Sequence, residues 1–141
     1  MSRVILNMAI GLLAAGTLFP SPARAASVTV QIDRFGAIGV DGLGIVSGTI
    51  TCDPDASIFG ADVHLAQDLG RSEIEGFEVP EFGAPCDGTP HSWAVGVRSN
   101  KVDRRGEYLF RGGPADASIA IQLDAEILLV SRTIIIRGSQ P

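Results

Sequence analysis

A strict alternation of apolar and polar residues runs through most of this chain and constrains its fold more than any other feature. In segment 27–33, Val and Ile alternate with Ser, Thr, Gln and Asp, and segment 116–125 repeats the pattern over a longer stretch. A period of two places successive side chains on opposite faces of a β-strand with one buried face. Helical periodicity is nearly absent after residue 26. The sequence therefore predicts an all-β fold.

About seven segments of this kind follow one another, separated by turns that contain Gly, Pro, Asp or Asn. They are 27–33, 45–52, 61–66, 71–79, 92–98, 116–125 and 128–137. Short strands at this spacing, with turn residues between them, are typical of a two-sheet antiparallel sandwich. We therefore expect an antiparallel β-sandwich of about seven strands, with a small closed barrel as the main alternative.

Three segments depart from the simple alternation. Residues 36–44 are rich in Gly, so we expect a loop or a short edge segment there. Segment 71–79 carries three Glu residues, which suit an edge strand because charge discourages pairing with other molecules. Segment 128–137 is apolar or β-branched on both faces, which predicts a strand that is buried on both sides.

The first 25 residues have the three-part layout of a secretory signal peptide. Arg3 gives a positive start, Val4–Phe19 is apolar, and small residues flank the expected cut after Ala25. A retained membrane anchor is the alternative, but a spanning helix needs roughly 20 apolar residues and this stretch is interrupted by Asn and Gly. We expect residues 26–141 to form a single domain that is secreted to the extracellular side, or to the periplasm in a two-membrane host.

Cys52 and Cys86 are the only cysteines, and an exported protein meets conditions in which thiols oxidise. An even count predicts one disulfide between them, whereas a structural zinc site would need four ligands. Cys52 shares a face with the apolar residues of its segment and is expected to point inward. Cys86 lies in the Gly- and Pro-rich loop 83–90. The bridge should therefore join the end of one strand to the loop before Trp93.

Charge argues against two classes of partner. Arg3 and Arg24 are the only charged residues of the leader, so residues 26–141 carry 9 basic and 16 acidic residues, a formal charge of −7. Nucleic acids and anionic membrane surfaces would repel so acidic a domain. We therefore expect no nucleic-acid binding and no stable membrane anchoring.

Two segments, Asp41–Cys52 and Cys86–Trp93, carry a resemblance to a known family. Together with Phe110–Ala115, they resemble small secreted bacterial proteins that have an immunoglobulin-like β-sandwich and no established function. The resemblance implies export, one disulfide and an immunoglobulin-like β-sandwich, and it implies no activity or site residue. One departure is that Trp93 follows both cysteines, whereas the Trp of an immunoglobulin domain lies between them.

His64 and His91 are the only histidines, and a hydrolase or a metal centre built on imidazole would have to use one of them. Neither the nucleophile-elbow motif nor a paired-histidine spacing accompanies them. Trp93 would suit stacking on a sugar ring, but its alternation with Val makes it a core residue first. We therefore assign no catalytic residue and no cofactor.

Acidic residues raise two further possibilities. Asp53, Asp55 and Asp62 would suit weak calcium binding, but they lack the spacing of a calcium loop, and Asp beside Pro commonly forms turns. A longer acidic stretch comprises Glu73, Glu75, Glu78, Glu81 and Asp87. Two carboxylates across a cleft would suit glycoside hydrolysis, but a solvated edge strand explains the stretch without any cleft. We therefore predict no metal site.

No constellation of residues in the sequence meets the geometric needs of catalysis, so we expect a protein that is not an enzyme. The best-supported function is a secreted binding module, a monomer or weakly associating, that contacts an extracellular protein or small ligand through loops or an exposed edge. The basic turn Lys101–Arg105 is expected to be a hairpin tip rather than a binding site, although exposed loops often carry recognition. The alternatives are a small-molecule carrier, or a protease-inhibitor-like protein that uses the loop Glu81–Pro90.

Overall fold

The computed structural model describes residues 27–81, 83–101 and 110–138, which contain eight β-strands and no helix. The strands are β1 (Val28–Ile32), β2 (Phe35–Ile38), β3 (Gly44–Cys52), β4 (Ile58–Asp68), β5 (Glu73–Glu78), β6 (Pro90–Val97), β7 (Gly113–Leu123) and β8 (Ile127–Arg137). The predicted all-β, sandwich-like fold is confirmed. The predicted signal peptide, residues 1–25, lies outside the described residues. The described residues contain no helix that is long and apolar enough to cross a membrane.

The eight strands form one hydrogen-bonded sheet that folds over into two layers. The smaller layer contains β1, β3 and β6, and the larger layer contains β2, β8, β7, β4 and β5 in that order. β2 joins the layers because it pairs with β3 on one side and with β8 on the other. At the opposite margin, an isolated bridge between Gly76 and Ser99 connects β5 to the chain after β6.

Strand β2 accounts for two differences from the sequence prediction. It overlaps the region 36–44 that was expected to be a loop or short edge segment, so the strands number eight rather than about seven. It also pairs with β8 in parallel, with Phe35 opposite Ile135, so the sandwich is not entirely antiparallel. The reason is that β1 and β2 are one run of chain that changes layer at Asp33 and Arg34, and alternation carries no information about strand direction.

The prediction that segment 128–137 is buried on both sides is wrong. Ile134 and Ile136 are buried, but Ile127 and Leu129 are 69% and 65% exposed. Among the described strands, residues 127–133 pair only with β7, so this half of β8 is an edge. Its apolar, β-branched composition therefore reflects strand propensity and an open outer face rather than double burial.

The core lies between the layers and consists of the inward residues of the alternating strands. The largest side chains with almost no exposure include Val46, Ile50, Val63, Leu65, Ile119 and Ile121. One polar side chain joins them: Gln67 is 2% exposed and lies in register with the inward residues of β4. Its amide donates to the Arg111 carbonyl at 2.8 Å and accepts from the Arg111 N–H at 2.9 Å. The buried amide is thus satisfied and fixes the chain where it enters β7.

Cys52 and Cys86 form a disulfide, as predicted, with 4.7 Å between their Cα atoms. Cys52 is buried at the end of β3, and Cys86 lies in the loop that precedes β6. The Gly88 N–H donates to the Cys52 carbonyl at 2.9 Å, so a backbone hydrogen bond ties the same two segments. The loop before β6 is therefore anchored to β3 both covalently and through its backbone.

Removal of this disulfide should destabilise the fold. In the chain-entropy model, a bridge between residues 34 positions apart contributes about 4 kcal/mol. We expect the Cys52→Ala/Cys86→Ala variant to lose roughly this free energy of unfolding in a urea titration. Wild-type protein treated with a reductant should show a similar loss. An unchanged midpoint in both samples would contradict the prediction.

A close approach between strands makes Gly48 irreplaceable in β3. A Cβ atom at this position would overlap the Gln31 carbonyl oxygen of β1 and lie 2.8 Å from Trp93 Cζ2 of β6. The first neighbour is backbone, so it has little freedom to move. Gly48 is thus a point of close approach between the three strands of the smaller layer.

The Gly48→Ala variant should lower the free energy of unfolding by about 2 kcal/mol or more, the usual scale of overpacking. The matched control is Gly60→Ala in β4, because a Cβ there meets no atom within 4 Å. Denaturant titration of both variants measures the difference. Equal stabilities would show that the smaller layer can expand around residue 48.

Candidate functional site

A surface cleft of about 400 Å³ lies between the edge of β6 and residues 80, 81 and 83–85. This volume is within the range of small-ligand sites. The residues that line it include Pro80, Ala84 and Pro85 on the loop and His91, Ser92 and Ala94 on β6. Glu81 contributes a carboxylate to the lining, and Trp93 reaches it from the core. The cleft therefore combines small apolar walls with a few polar groups.

The strand that forms one side of the cleft has an open edge. β3 pairs with β6 across residues 90–97 on one side. On the other side, the described part of the chain places no strand against these residues, and residues 79–81 and 83–86 are not in a strand. Alternate backbone N–H and C=O groups along this edge are thus accessible to an extended ligand.

The loop that forms the opposite wall of the cleft is held by hydrogen bonds where it leads into β6. Asp87 Oδ1 accepts hydrogen bonds from the Thr89 N–H at 2.9 Å and from the Thr89 hydroxyl at 2.7 Å. The same oxygen lies 2.9 Å from His91 Nε2. Gly88, at φ 78°, supplies the left-handed turn between these residues. With the disulfide at Cys86, these contacts hold residues 86–91 in one conformation.

Hydrogen bonds from His91 and then from Thr89 lower the pKa of Asp87 from 3.8 to about 2. Each donor favours the ionised carboxylate, and together they outweigh the small opposing effect of desolvation. Asp87 is therefore an anion throughout the neutral pH range. Its side chain is 45% exposed, so solvent weakens its influence on the rest of the cleft.

The Asp87, Thr89 and His91 cluster does not have the geometry of a catalytic triad. In a triad, the imidazole uses one nitrogen for the nucleophile and the other for the carboxylate. Here the same Nε2 lies 3.2 Å from Thr89 Oγ1 and 2.9 Å from Asp87 Oδ1, and the hydroxyl itself donates to the carboxylate. The three side chains satisfy one another, and their arrangement stabilises a turn.

The other residues considered for chemistry lie in separate places. His64 is on the outer face of β4, 3.6 Å from Glu75. Asp53 accepts hydrogen bonds from Ser27, while Asp62 lies on β4 opposite Ala120. In ranges 27–81, 83–101 and 110–138, no group of three or more His, Cys, Asp or Glu side chains is placed to hold a metal ion. The structure thus does not bring Asp53, Asp55 and Asp62 together.

The residues of the acidic stretch also lie apart from one another. Glu73 and Glu75 are exposed on β5, which ends the strand order of the larger layer, as expected for an edge strand. Glu78 pairs with Arg98 at 3.3 Å, and Glu81 lines the cleft. Two carboxylates do not face each other across the cleft lining. The arrangement gives no support to glycoside hydrolysis.

Trp93 and the basic turn are the last two features that the sequence analysis considered for binding. Trp93 is 8% exposed and belongs to the core, as its alternation predicts. Lys101 Nζ donates to the Glu73 carbonyl at 2.8 Å, which ties the end of the β6 segment to β5. Residues 102–105 of the basic turn lie outside the described residues. The sequence does not predict the cleft, because the cleft depends on which edge of β6 is left unpaired.

Comparison with models of known protein families finds no match, and comparison with curated proteins finds no significantly similar sequence. The resemblance to small secreted sandwich proteins therefore stays a prediction. Function has to be argued from the geometry of the cleft and of the exposed surfaces.

The contribution of the Asp87 turn to stability should depend on pH in the acid range. Because the pKa of Asp87 is lowered in the folded protein, its contribution to stability is complete above the ordinary value of 3.8 and is lost as pH falls through about 2. We expect Asp87→Asn to melt below wild type at about pH 6, with the gap closing near pH 2. Asp55→Asn is the control, because Asp55 accepts no hydrogen bond from any described residue. A gap that persists at pH 2 would contradict this assignment.

Proposed function

We propose that this protein is a secreted, non-enzymatic binding module that accepts an extended peptide segment in the cleft beside β6. The observation that carries the proposal is that an unpaired strand edge and an anchored loop flank the same cleft. A peptide that adds to a sheet edge gains main-chain hydrogen bonds, and the flanking wall selects its side chains. A fixed wall also lowers the conformational entropy lost on binding.

The chemistry of the lining supports a peptide of modest polarity. Pro80, Ala84 and Ala94 offer small apolar surfaces, which suit aliphatic side chains of the ligand. Glu81 is exposed at the cleft and favours a basic side chain nearby. The ligand expected is therefore an extended peptide with aliphatic residues and at least one Lys or Arg.

Export is part of the proposal. It is supported by the layout of residues 1–25 and by the Cys52–Cys86 disulfide, since disulfides persist in oxidising compartments. The bacterial origin and the immunoglobulin-like connectivity that the resemblance implies also stay predictions.

Two alternatives use the same region of the molecule. A small-molecule carrier would also use this cleft, because core side chains fill the space between the two layers. A protease-inhibitor-like protein would present Glu81–Pro90 to a protease, and the hydrogen bonds that hold residues 86–91 favour such a rigid loop. The three functions predict different effects of a substitution that fills the cleft.

Random linear peptides displayed on phage are a suitable probe. We expect selected peptides to bind wild-type protein and to bind Ala94→Trp at least tenfold more weakly, because the new side chain occupies the cleft. Thr29→Trp on the outer face of β1 is the matched control and should bind as wild type does. Amide shifts in NMR spectra should concentrate at residues 92–95 when a selected peptide is added.

Peptides that bind wild type and Ala94→Trp equally would remove the cleft from the proposal. Protease inhibition that survives Ala94→Trp but is lost after cleavage of Glu81–Pro90 would favour the inhibitor instead. Selection that yields no binding peptide, together with a co-purified small molecule that Ala94→Trp displaces, would favour the carrier.

A further inference from the structure

The first half of β8 has backbone hydrogen-bonding groups that point to an open edge. The Ile135 N–H donates to the Arg34 carbonyl at 2.9 Å, so it points to the side of β8 on which β2 lies. Backbone groups alternate in direction along a strand, so every second residue before Ile135 points to the same side. The described residues place no strand there. The residues with open backbone groups are Ile127, Leu129, Ser131 and Thr133.

The other strands with an open side carry features that discourage pairing, and this half of β8 does not. β5 carries exposed Glu residues, and β6 begins with a Pro and faces the anchored loop. On β1, the Ile32 carbonyl accepts a hydrogen bond from Arg132 Nη1 at 2.8 Å. Residues 127–131 of β8 are Ile-Leu-Leu-Val-Ser, with no charge, Pro or Gly, and Ile127 and Leu129 are more than half exposed. An apolar edge of this kind is a template for pairing with another strand.

The sequence of this edge is complementary to itself. In an antiparallel pair of two copies with Leu129 opposite its counterpart, Ile127 lies opposite Ser131 on the outer face. On the inner face, which is directed at the smaller layer, Leu128 lies opposite Val130. Each pair of odd-numbered residues exchanges two backbone hydrogen bonds, because their N–H and C=O groups point to the open edge. No charged side chain lies within this ladder.

The neighbouring strand β2 limits the register of such a pair. β2 occupies the edge of β8 from Ile135 onward. With Val130 at the centre, Glu126 of the other copy would lie opposite Ile134, where Arg34 already lies beside β8. With Leu128 at the centre, fewer residues of the two strands would exchange hydrogen bonds. Leu129 at the centre is thus the register that makes the most hydrogen bonds without overlapping β2.

This register brings opposite charges together. It places Glu126, one residue before β8, opposite Arg132 of the other copy. Arg132 extends toward the smaller layer, since it reaches the Ile32 carbonyl, and a guanidinium has further N–H groups that can bind a carboxylate. Neither Glu126 nor Arg132 forms an ion pair with another described residue. A two-fold axis makes this contact twice.

The other charged groups near the edge are compatible with the same pairing. The β7–β8 turn carries Asp124, which comes next to Arg34 of the other copy, and neither forms an ion pair within the described residues. Asp33 also lies on the receiving side, but its carboxylate accepts a hydrogen bond from the Ser47 hydroxyl at 2.7 Å. β1, the edge strand of the smaller layer on this side, is uncharged. Two like charges are therefore not forced together without a counter-charge.

We propose that two copies of this chain form an antiparallel dimer by pairing the first halves of their β8 strands. The two-fold axis is perpendicular to the larger layer and passes beside Leu129, so the five strands of one copy continue into the five strands of the other. The same patch is used by both copies, which closes the assembly. The acidic outer face around Asp62 and Asp116 stays exposed to solvent, and so does the cleft beside β6.

The small size of the contact predicts a weak dimer. Five residues of strand at about 3.4 Å each give an edge roughly 17 Å long. Such an edge buries less than the standard interface of about 800 Å² per partner, and interfaces of this class are weak or transient. We therefore expect association at high micromolar concentration. Of the two states expected from the sequence, this dimer corresponds to the weakly associating one.

Sedimentation equilibrium of the protein up to millimolar concentration tests the pairing. Leu129→Lys should weaken the dimer by at least about tenfold, because the axis places the two new charges opposite each other. Phe77→Lys is the matched control, since Phe77 is an exposed apolar residue at the far end of the same layer. It makes the same change in net charge and should associate as wild type does.

A charge-reversal cycle and amide exchange test the register. Glu126→Arg and Arg132→Glu should each weaken the dimer by about threefold, and the double variant, which has the net charge of wild type, should recover most of the affinity. Thermal melts check that each variant is folded. The amide protons of Leu129 and Ser131 should exchange more slowly as the concentration of wild type rises, because they become hydrogen-bonded only in the dimer.

Several results would overturn this dimer. Wild type that stays monomeric up to millimolar concentration contradicts it, even if an unrelated peptide binds to the edge of β8. A dimer that Leu129→Lys leaves intact, or that Phe77→Lys weakens equally, is formed by another surface. A double charge variant that is not rescued, or amide exchange at Leu129 that does not depend on concentration, rejects the proposed register.

Discussion

Both layers of the sandwich depend on the hydrogen bonds that β2 makes on its two sides. The chain pairs with β3 as β1, changes layer at Asp33 and Arg34, and then pairs with both β3 and β8 as β2. This crossing holds the layers at a fixed distance around the core. The crossing also leaves the first half of β8 without a second neighbouring strand, because β1 pairs with β3 and β2 reaches only the end of β8. It places the exposed Phe35 at the margin of the larger layer.

Two open surfaces arise from different consequences of this architecture. The cleft exists because β6 ends the smaller layer and an anchored loop runs beside its free edge. The outer face exists because the larger layer has five strands and no further layer covers it in the described residues.

Period-two alternation predicts the strands and the inward position of Cys52, because both depend on local pattern. The disulfide with Cys86 is predicted by the even cysteine count and the expected compartment. Gln67 lies just beyond the predicted segment 61–66, and no local signal names its partner Arg111, which is 44 residues away. Segment 128–137 shows the limit most clearly, since apolar residues on both faces fit a buried strand and an exposed edge equally well. The parallel pairing of β2, the cleft and the stacking of Arg137 on Phe35 all depend on long-range contacts that periodicity does not encode.

The bond between Cys52 and Cys86 has a consequence for timing. It joins one wall of the cleft to the end of β3, so only the oxidised protein has the covalent anchor of this wall. A chain that is still in a reducing compartment has the alternating strands and the core residues, but its loop lacks the covalent tie. Under the proposed export, the covalent tie forms only where thiols oxidise, so the anchoring of this wall is completed after the chain leaves the reducing compartment.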